Sequence, residues 1–174
     1  MNYIFQDWNC NKGNTKGRIV MLLFRLANCG IHNRLIFFIT LPHRIFYKFF
    51  VEWVLGIGLP WNTRIGRNCQ LYHGQALVIS CDVIIGENCT LRHCTTIGNK
   101  QLKDGQFSMG PVIGNHVDIG SNVCIIGDIK IGDRIKIGSG SVVIKDIEDD
   151  STAVGNPARI IRSKNKNTFN TVNI

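Results

Sequence analysis

A branched aliphatic residue recurs about every six residues through the second half of the chain, and this repeat restricts the fold more than any other feature. The series is Ile65, Leu71, Leu77, Ile85, Leu91, Ile97, Ile113, Ile119, Ile125, Ile131, Ile137 and Val143. Glycine often follows it, at Gly66, Gly86, Gly98, Gly114, Gly120, Gly132 and Gly138. A six-residue period fits neither an α-helix nor one long strand, so it predicts a solenoid of short strands joined by tight corners.

The repeat also predicts how one coil is built. The aliphatic side chains fill the interior, and the glycines are expected to permit backbone conformations that a Cβ would penalise. Three hexads would close one triangular coil of about 18 residues. The repeat is interrupted twice, by eight residues from Leu77 to Ile85 and by sixteen from Ile97 to Ile113. The second gap predicts an excursion loop around residues 103–112.

The phase of the repeat assigns the aliphatic residues to three faces of the coil. Face one carries Ile65, Ile85, Ile113 and Ile131, face two carries Leu71, Leu91, Ile119 and Ile137, and face three carries Leu59, Leu77, Ile97, Ile125 and Val143. The residues two places after those of face two are His73, His93, Ser121 and Ser139. We expect these four to stack in one column, separated by about 4.8 Å, the spacing of neighbouring strands.

A chain of 174 residues is long enough for one domain with an N-terminal extension. We expect a helical extension over residues 1–57, the solenoid over residues 58–148, and a closing segment with a polar tail over residues 149–174. Residues 35–55 are strongly apolar, yet proline, histidine, arginine, lysine and glutamate interrupt them, which disfavours a lipid span. These helices are expected to pack on the solenoid or on neighbouring subunits, or to lie on a membrane surface.

Composition limits the partners and the compartment. Twenty basic residues against twelve acidic ones give a net charge of +8, which favours an anionic partner such as a nucleotide-like cofactor, a phospholipid surface or an acidic glycan. Nucleic acid is the weakest candidate, because the sequence carries no nucleic-acid-binding motif. Seven cysteines without a CxxC pair indicate thiols in a reducing cytoplasm. No cleavable signal peptide is evident, so we expect a cytoplasmic protein, with peripheral contact to the inner membrane as a further expectation.

Two sequence blocks point to a family. Residues 71–79 read LYHGQALVI and residues 91–99 read LRHCTTIGN, with GNPARI at residues 155–160. These blocks resemble the serine acetyltransferase family of hexapeptide-repeat acyltransferases, and within it the colanic acid biosynthesis acetyltransferases, which O-acetylate exopolysaccharide. The resemblance implies an all-β fold, a left-handed parallel β-helix. It also implies a homotrimer that binds acetyl-CoA in a groove between adjacent solenoids.

The resemblance assigns catalysis to a histidine. It implies that His73 is the general base, and an imidazole can take the proton of an alcohol and return it to a departing thiolate. The alternative for His73 is a structural histidine that forms hydrogen bonds at a coil corner. His93 is expected to be a second acid or base, an orienting partner or an acceptor-binding group. We expect direct attack on the thioester, without acylation of Cys94.

The donor contacts also come from the resemblance. A backbone N–H near Gly98 or Asn99 is a candidate donor to the oxyanion, and Ser121 and Ser139 would leave room for the pantetheine arm. Three basic residues near the end of the solenoid could hold the phosphates of acetyl-CoA, although each could equally be an ordinary surface charge: Lys145, Arg159 and Arg162.

The chain departs from serine acetyltransferases at three positions. Tyr72, Gly58 and Gly110 stand where that family has two aspartates and a second histidine. The missing acids favour an uncharged acceptor hydroxyl, as on a sugar of a capsular or lipid-linked glycan. Three alternatives stay open: serine acetyltransferase, a non-catalytic scaffold, and a zinc hydratase of the γ-carbonic anhydrase kind. The zinc enzyme needs a close pair of histidines that His73, His93 and His116 do not supply, so no metal is expected.

Overall fold

The computed structural model describes residues 3–29 and 34–163. The N-terminal region is helical, as predicted. A 3₁₀ turn at Tyr3–Phe5 comes first, followed by helices α1 (Thr15–Asn28), α2 (Arg34–Ile39) and α3 (Leu41–Tyr47) and a π-helical segment at Lys48–Val54. No helix within the described ranges is long and apolar enough to cross a bilayer.

The remaining described residues form three sheets of parallel strands, which confirms the left-handed parallel β-helix. The first sheet contains β1 (Arg64–Ile65), β4 (Ile84–Ile85), β7 (Val112–Ile113) and β10 (Lys130–Ile131). The second contains β2 (Gln70–Tyr72), β5 (Thr90–Arg92), β8 (Asp118–Ile119), β11 (Lys136–Ile137), β13 (Ser151–Val154) and β14 (Arg159–Ser163). The third contains β3 (Val78–Ile79), β6 (Thr96–Gly98), β9 (Cys124–Ile126) and β12 (Val142–Val143). Only β13 and β14 pair antiparallel among the described strands.

The predicted assignment of Leu77 to the third face is wrong by two residues. Ile79, not Leu77, lies opposite Ile97 in the sheet, although Leu77 is also fully buried. The two extra residues therefore belong to the corner before β3 and not to the corner after it. The reason is the turn that begins at His73, where the chain leaves the repeat and rejoins it at Val78.

The predicted reason for the hexad glycines is also wrong. Glycines such as Gly86 and Gly120 have no positive φ, whereas corners with positive φ are formed by other residues, such as Asn88 and Asn122. A Cβ on Gly86 would lie 2.5 Å from the carbonyl oxygen of Gly114 in the next coil. These glycines are required by the close approach of stacked coils, not by backbone dihedral angles.

The N-terminal segment closes the lower end of the solenoid with side chains. β2 is the edge strand of the second sheet, and the outer backbone groups of Leu71 and of the preceding Cys69 find side-chain partners. Asp7 accepts from the Cys69 N–H at 2.9 Å. Asn11 donates to the Cys69 carbonyl at 2.9 Å and accepts from the Leu71 N–H at 3.0 Å. Asn14 donates to the Leu71 carbonyl at 2.6 Å, so these three residues replace the missing neighbouring strand.

A buried ion pair fixes this segment to α1. The Arg25 Nε lies 2.7 Å from Asp7 Oδ2, and both side chains are almost fully buried. Arg25 also donates to the carbonyl oxygens of Ile65 at 2.7 Å and Gly66 at 2.6 Å. The charged pair is tolerated inside the protein because its hydrogen-bonding groups are satisfied by each other and by the first coil.

Candidate active site

His73 lies in a strained turn at the corner between the second and third sheets. The Gly74 N–H donates to the Tyr72 carbonyl at 2.8 Å, which closes a three-residue turn with His73 at its centre. The φ of His73 is +64°, a backbone conformation that residues other than glycine seldom adopt. The turn exposes the imidazole. Positive φ also occurs at other corners of the solenoid, such as Asn88 and Asn122, so the interest of His73 lies in its exposure and its neighbours.

The turn is held from the helical side as well. With its amide oriented to satisfy both neighbours, Gln75 donates to the His73 carbonyl at 2.9 Å and accepts from Lys16 Nζ at 3.0 Å. The Ala76 N–H donates to the carbonyl of Gly56 at 2.9 Å. The repeat pattern did not indicate Gln75 or Lys16, since both lie outside the hexad positions.

His93 stacks against His73 one coil away. The two ring centroids are 5.7 Å apart and the rings meet edge to face at 76°. The Nδ1 of His93 is buried and has no hydrogen-bond partner among the described residues. At Nδ1, an N–H donor without an acceptor would cost more free energy than a lone pair without a donor. This favours the tautomer that carries its proton on Nε2.

The predicted column continues upward through the two serines. The Asn122 N–H donates to the His93 carbonyl at 3.1 Å, which places Ser121 directly above His93. The hydroxyls of Ser121 and Ser139 are 3.2 Å apart. The structure thus brings His73, His93, Ser121 and Ser139 to one corner of four successive coils, as the phase of the repeat predicts.

The other predicted donor-binding residues lie elsewhere on the chain. Gly98 and Asn99 stand at the far end of β6 from His93. Lys145 and Arg159 are exposed near the last coils, and the Arg162 side chain lies outside the described part of the chain. A single chain therefore does not gather these residues around the histidines, and their contacts to acetyl-CoA stay a prediction.

Gly110 has no room for the second histidine of serine acetyltransferases. A Cβ there would lie 2.9 Å from Asp82 Cγ. The Asp82 Oδ1 is buried without a partner among the described residues, and its Oδ2 is 3.5 Å from Asn99 Nδ2. Asp82 also lines a cavity of about 690 Å³ between the first coils and the end of α1. That cavity contains none of the predicted site residues.

Comparisons with known proteins decide the family. Over 162 residues the chain is 33% identical to WcaB of Escherichia coli K12, which is named for an acetyltransferase role in colanic acid biosynthesis. The match covers 90% of this chain and 98% of that protein. The chain belongs to the hexapeptide-repeat acetyltransferases. No protein-family model matches it.

Other members of the hexapeptide-repeat acetyltransferases act on an amino acid, as their names state. Serine acetyltransferase of Helicobacter pylori strain 26695 is 33% identical over 141 residues, which cover 81% of this chain and 78% of that enzyme. Soybean serine acetyltransferase superposes with a TM-score of 0.76 at 27% identity, over 91% of this chain and 67% of the soybean chain. The chain is therefore an acetyl-CoA-dependent acetyltransferase, and its relatives include a colanic acid biosynthesis acetyltransferase as well as serine acetyltransferases.

Proposed function

We propose that this acetyltransferase transfers the acetyl group of acetyl-CoA to a hydroxyl of a sugar in a capsular, exopolysaccharide or lipid-linked glycan precursor. The observation that carries the proposal is the histidine pair whose exposed member, His73, follows Tyr72 instead of an acidic residue. A serine acceptor brings an ammonium group that needs a carboxylate partner. At the three positions where this chain departs from serine acetyltransferases, it has Tyr72, Gly58 and Gly110.

The proposed reaction is direct acyl transfer. His73 removes the proton of the acceptor hydroxyl as its oxygen attacks the thioester carbon, forming a C–O bond and a tetrahedral oxyanion. Collapse of that intermediate breaks the C–S bond, and the proton on His73 passes to the departing thiolate of CoA. The Nε2–H of His93, whose ring stacks against that of His73, is suited to donate a hydrogen bond to the acceptor or to the developing charge.

We further propose that the active form is a homotrimer with sites shared between subunits. The 690 Å³ cavity is not lined by His73 or His93, and pockets for cofactors are concave. Several outward-facing residues of the solenoid are apolar and exposed, including Val78 in β3, Val112 in β7 and Ile144 just after β12. In the excursion loop, Phe107 and Met109 are each 65% exposed. A second copy packed along the solenoid would bury apolar side chains of this kind and supply the second wall of the groove.

The helical extension supports a peripheral membrane contact. Its outer surface, the apolar helical face, consists of Phe38, Ile39, Leu41, Ile45, Phe46, Phe49, Trp53 and Val54, all exposed. Such a large apolar patch is unusual on a soluble monomer. Lys48 lies exposed within it, and the chain carries a net charge of +8. A bilayer with anionic lipids matches both properties, and it is where a lipid-linked glycan would be found.

The membrane proposal is tested by cosedimentation with vesicles of phosphatidylglycerol and phosphatidylcholine. The double variant Phe49→Ser, Trp53→Ser is expected to bind at least tenfold more weakly, because two exposed apolar side chains no longer enter the lipid. Ile161→Ser, which changes an exposed apolar residue in β14, is the matched control. Equal binding of wild type and the double variant would refute the contact.

The function itself is tested by thiol release from acetyl-CoA. Serine and oligosaccharides prepared from capsular polysaccharide serve as alternative acceptors for wild type, His73→Ala and the control His116→Ala. His116 is an exposed histidine at another corner of the coil. Glycan-dependent release that only His73→Ala abolishes is the expected result. Turnover with serine alone would establish a serine acetyltransferase, and no turnover with any acceptor would favour a scaffold.

A further inference from the structure

The residues that precede the two histidines break the hexad rule in the same way. After the aliphatic residue of the second sheet, the two upper coils have Gly120 and Gly138, whereas the two lower coils have Tyr72 and Arg92. Tyr72 and Arg92 lie opposite each other in the sheet. Both side chains point outward, beside the corner that carries His73. The two largest side chains at this position therefore occur only next to the histidine pair.

The Tyr72 ring is fixed by its neighbours. Gln70 Nε2 donates to the Tyr72 hydroxyl at 3.0 Å and to the Cys10 carbonyl at 2.8 Å. The Arg92 guanidinium lies 5.5 Å from the centre of the Tyr72 ring. The ring is nevertheless 38% exposed. An aromatic surface held in place before the ligand arrives loses little conformational entropy on binding.

Arg92 is itself held in position. Its Nη1 donates to the Ile119 carbonyl at 2.7 Å and forms an ion pair with Asp118. The Arg92 and Asp118 side chains keep 30% and 46% of their surface accessible. The remaining N–H groups of Arg92 and the carboxylate oxygens of Asp118 can therefore form hydrogen bonds with a ligand that lies on the tyrosine ring.

The Tyr72 ring, the Arg92 guanidinium and the Asp118 carboxylate together match a sugar ring better than an amino acid. A pyranose has an apolar C–H face, which suits the electron-rich face of an aromatic ring, and hydroxyls around its rim, which suit a guanidinium and a carboxylate. The ammonium of serine would instead meet the cationic Arg92, which already pairs with the Asp118 carboxylate, and position 72 supplies no second acid. Because Tyr72 directly precedes His73, a sugar on its ring would hold a hydroxyl close to the base.

We propose that Tyr72 and Arg92 form the acceptor platform, which stacks a hexopyranose ring and directs one of its hydroxyls toward His73. This inference rests on the proposed function and names the residues that select its substrate. Tyr72 binds and orients the acceptor and takes no part in proton transfer. Its loss should therefore weaken acceptor binding and leave donor binding unchanged.

The test is steady-state thiol release with methyl glucoside, methyl galactoside and methyl mannoside alongside the capsular oligosaccharides. Tyr72→Ala and Tyr72→Leu are expected to raise the KM for the best acceptor at least tenfold, with the KM for acetyl-CoA within twofold of wild type. Tyr72→Phe keeps the aromatic face and should stay within threefold. Tyr3→Ala removes a similarly exposed tyrosine outside this corner and serves as the control.

The possible outcomes distinguish a failure of the acceptor platform from a failure of the proposed function. An unchanged acceptor KM in Tyr72→Leu, with wild type active on glycans, overturns the platform and leaves the proposed function standing. Equal losses in Tyr72→Phe and Tyr72→Ala also overturn the stacking role, since the hydroxyl would then be the decisive group. If wild type shows no glycan-dependent release, the proposed function and the platform fail together. Tyr72→Leu retains an apolar side chain of moderate size, so it tests the proposal even if Tyr72→Ala does not fold.

Discussion

The repeat places His73 in the column of the second sheet, and an insertion shapes the turn around it. The two additional residues after β2 create a turn in which His73 has a positive φ, and the surrounding contacts hold that turn in place. Gln75 contacts its carbonyl oxygen, and Asn14 contacts the carbonyl of Leu71 two residues earlier. The cost of the conformation, roughly 1–3 kcal/mol, is met by these contacts. The imidazole consequently projects out of the corner instead of lying along the strand.

Substitution at a hexad glycine tests how closely the coils approach each other. In Gly86→Ala the new methyl group would meet the backbone of Gly114, which cannot move without displacing a coil. We expect a loss of about 1–3 kcal/mol in the free energy of unfolding, the usual cost of overpacking. In the control Gly98→Ala the nearest atom is the Ser80 hydroxyl at 2.9 Å, a side chain that can rotate away. Urea denaturation that shows equal losses for both would contradict this explanation.

Because the Cys89 thiol is buried, the free energy of unfolding should decrease as the pH becomes alkaline. Burial raises the pKa of Cys89 from 9.0 to about 11. Between these values the unfolded chain releases the proton and the native chain keeps it, so the unfolded state binds fewer protons and stability falls as pH rises. The slope is at most about 1.4 kcal/mol per pH unit.

The measurement for Cys89 is urea denaturation of wild type and Cys89→Ala at pH 8, 9 and 10. Wild type should lose about 1 kcal/mol relative to the variant between pH 9 and 10, because the variant has no thiol to ionise. A stability difference that is the same at all three pH values would exclude this linkage.

At the scale of elements, the N-terminal segment takes the place of a neighbouring strand. Its side chains form the hydrogen bonds that the backbone of such a strand would form. An open sheet edge invites pairing with another chain, and solenoids require a cap at each end. Asp7, Asn11 and Asn14 satisfy the edge of β2 at the lower end. At the upper end, β13 and β14 fold back as an antiparallel pair. The two ends are thus closed by different means.

Asn11 is the central residue of the lower cap and gives the sharpest test of it. Asn11→Ala removes the partner of the Leu71 N–H and leaves the Cys69 carbonyl with the weaker hydrogen bond from the Cys10 thiol at 3.4 Å. We expect a loss of about 2–4 kcal/mol in the free energy of unfolding, measured by thermal or urea denaturation. Asn9→Ala, at an exposed position, should change stability by less than about 0.5 kcal/mol. A loss in Asn11→Ala no larger than that of the control would refute the capping role.

The sequence predicts most of the strand positions in the three sheets, but it does not predict the lower cap formed by Asp7, Asn11 and Asn14. The difference has a physical reason. The hexad repeats the same local environment, so the phase of its aliphatic residues is sufficient to bring His73, His93, Ser121 and Ser139 together. Contacts from Asp7 and Asn11 span about sixty residues and have no local signature in the sequence. The position of Ile79 was missed because two neighbouring aliphatic residues, Leu77 and Ile79, fit the repeat equally well. Tyr72 and Arg92 were visible as exceptions to the hexad, but their meaning required the contacts of the folded chain.

At the scale of the whole molecule, the proposed trimer explains why so much apolar surface is exposed on one chain. Light scattering at micromolar concentration should give three times the 19.5 kDa mass of a single chain. Dilution that dissociates the trimer should lower the activity per chain, because the groove for acetyl-CoA loses its second wall. A monomer that keeps its full specific activity would rule out a shared site.

The lower cap also has a consequence for how long the enzyme stays active. Each coil contacts only its neighbours, so opening starts at the ends, where the fewest contacts must break. His73 follows β2, the outermost strand of its sheet. Fraying of the cap would therefore disable the base while the upper coils remain intact. On gradual warming, activity should disappear before the β-sheet signal in circular dichroism, so the working lifetime of this catalyst is set by its first coil.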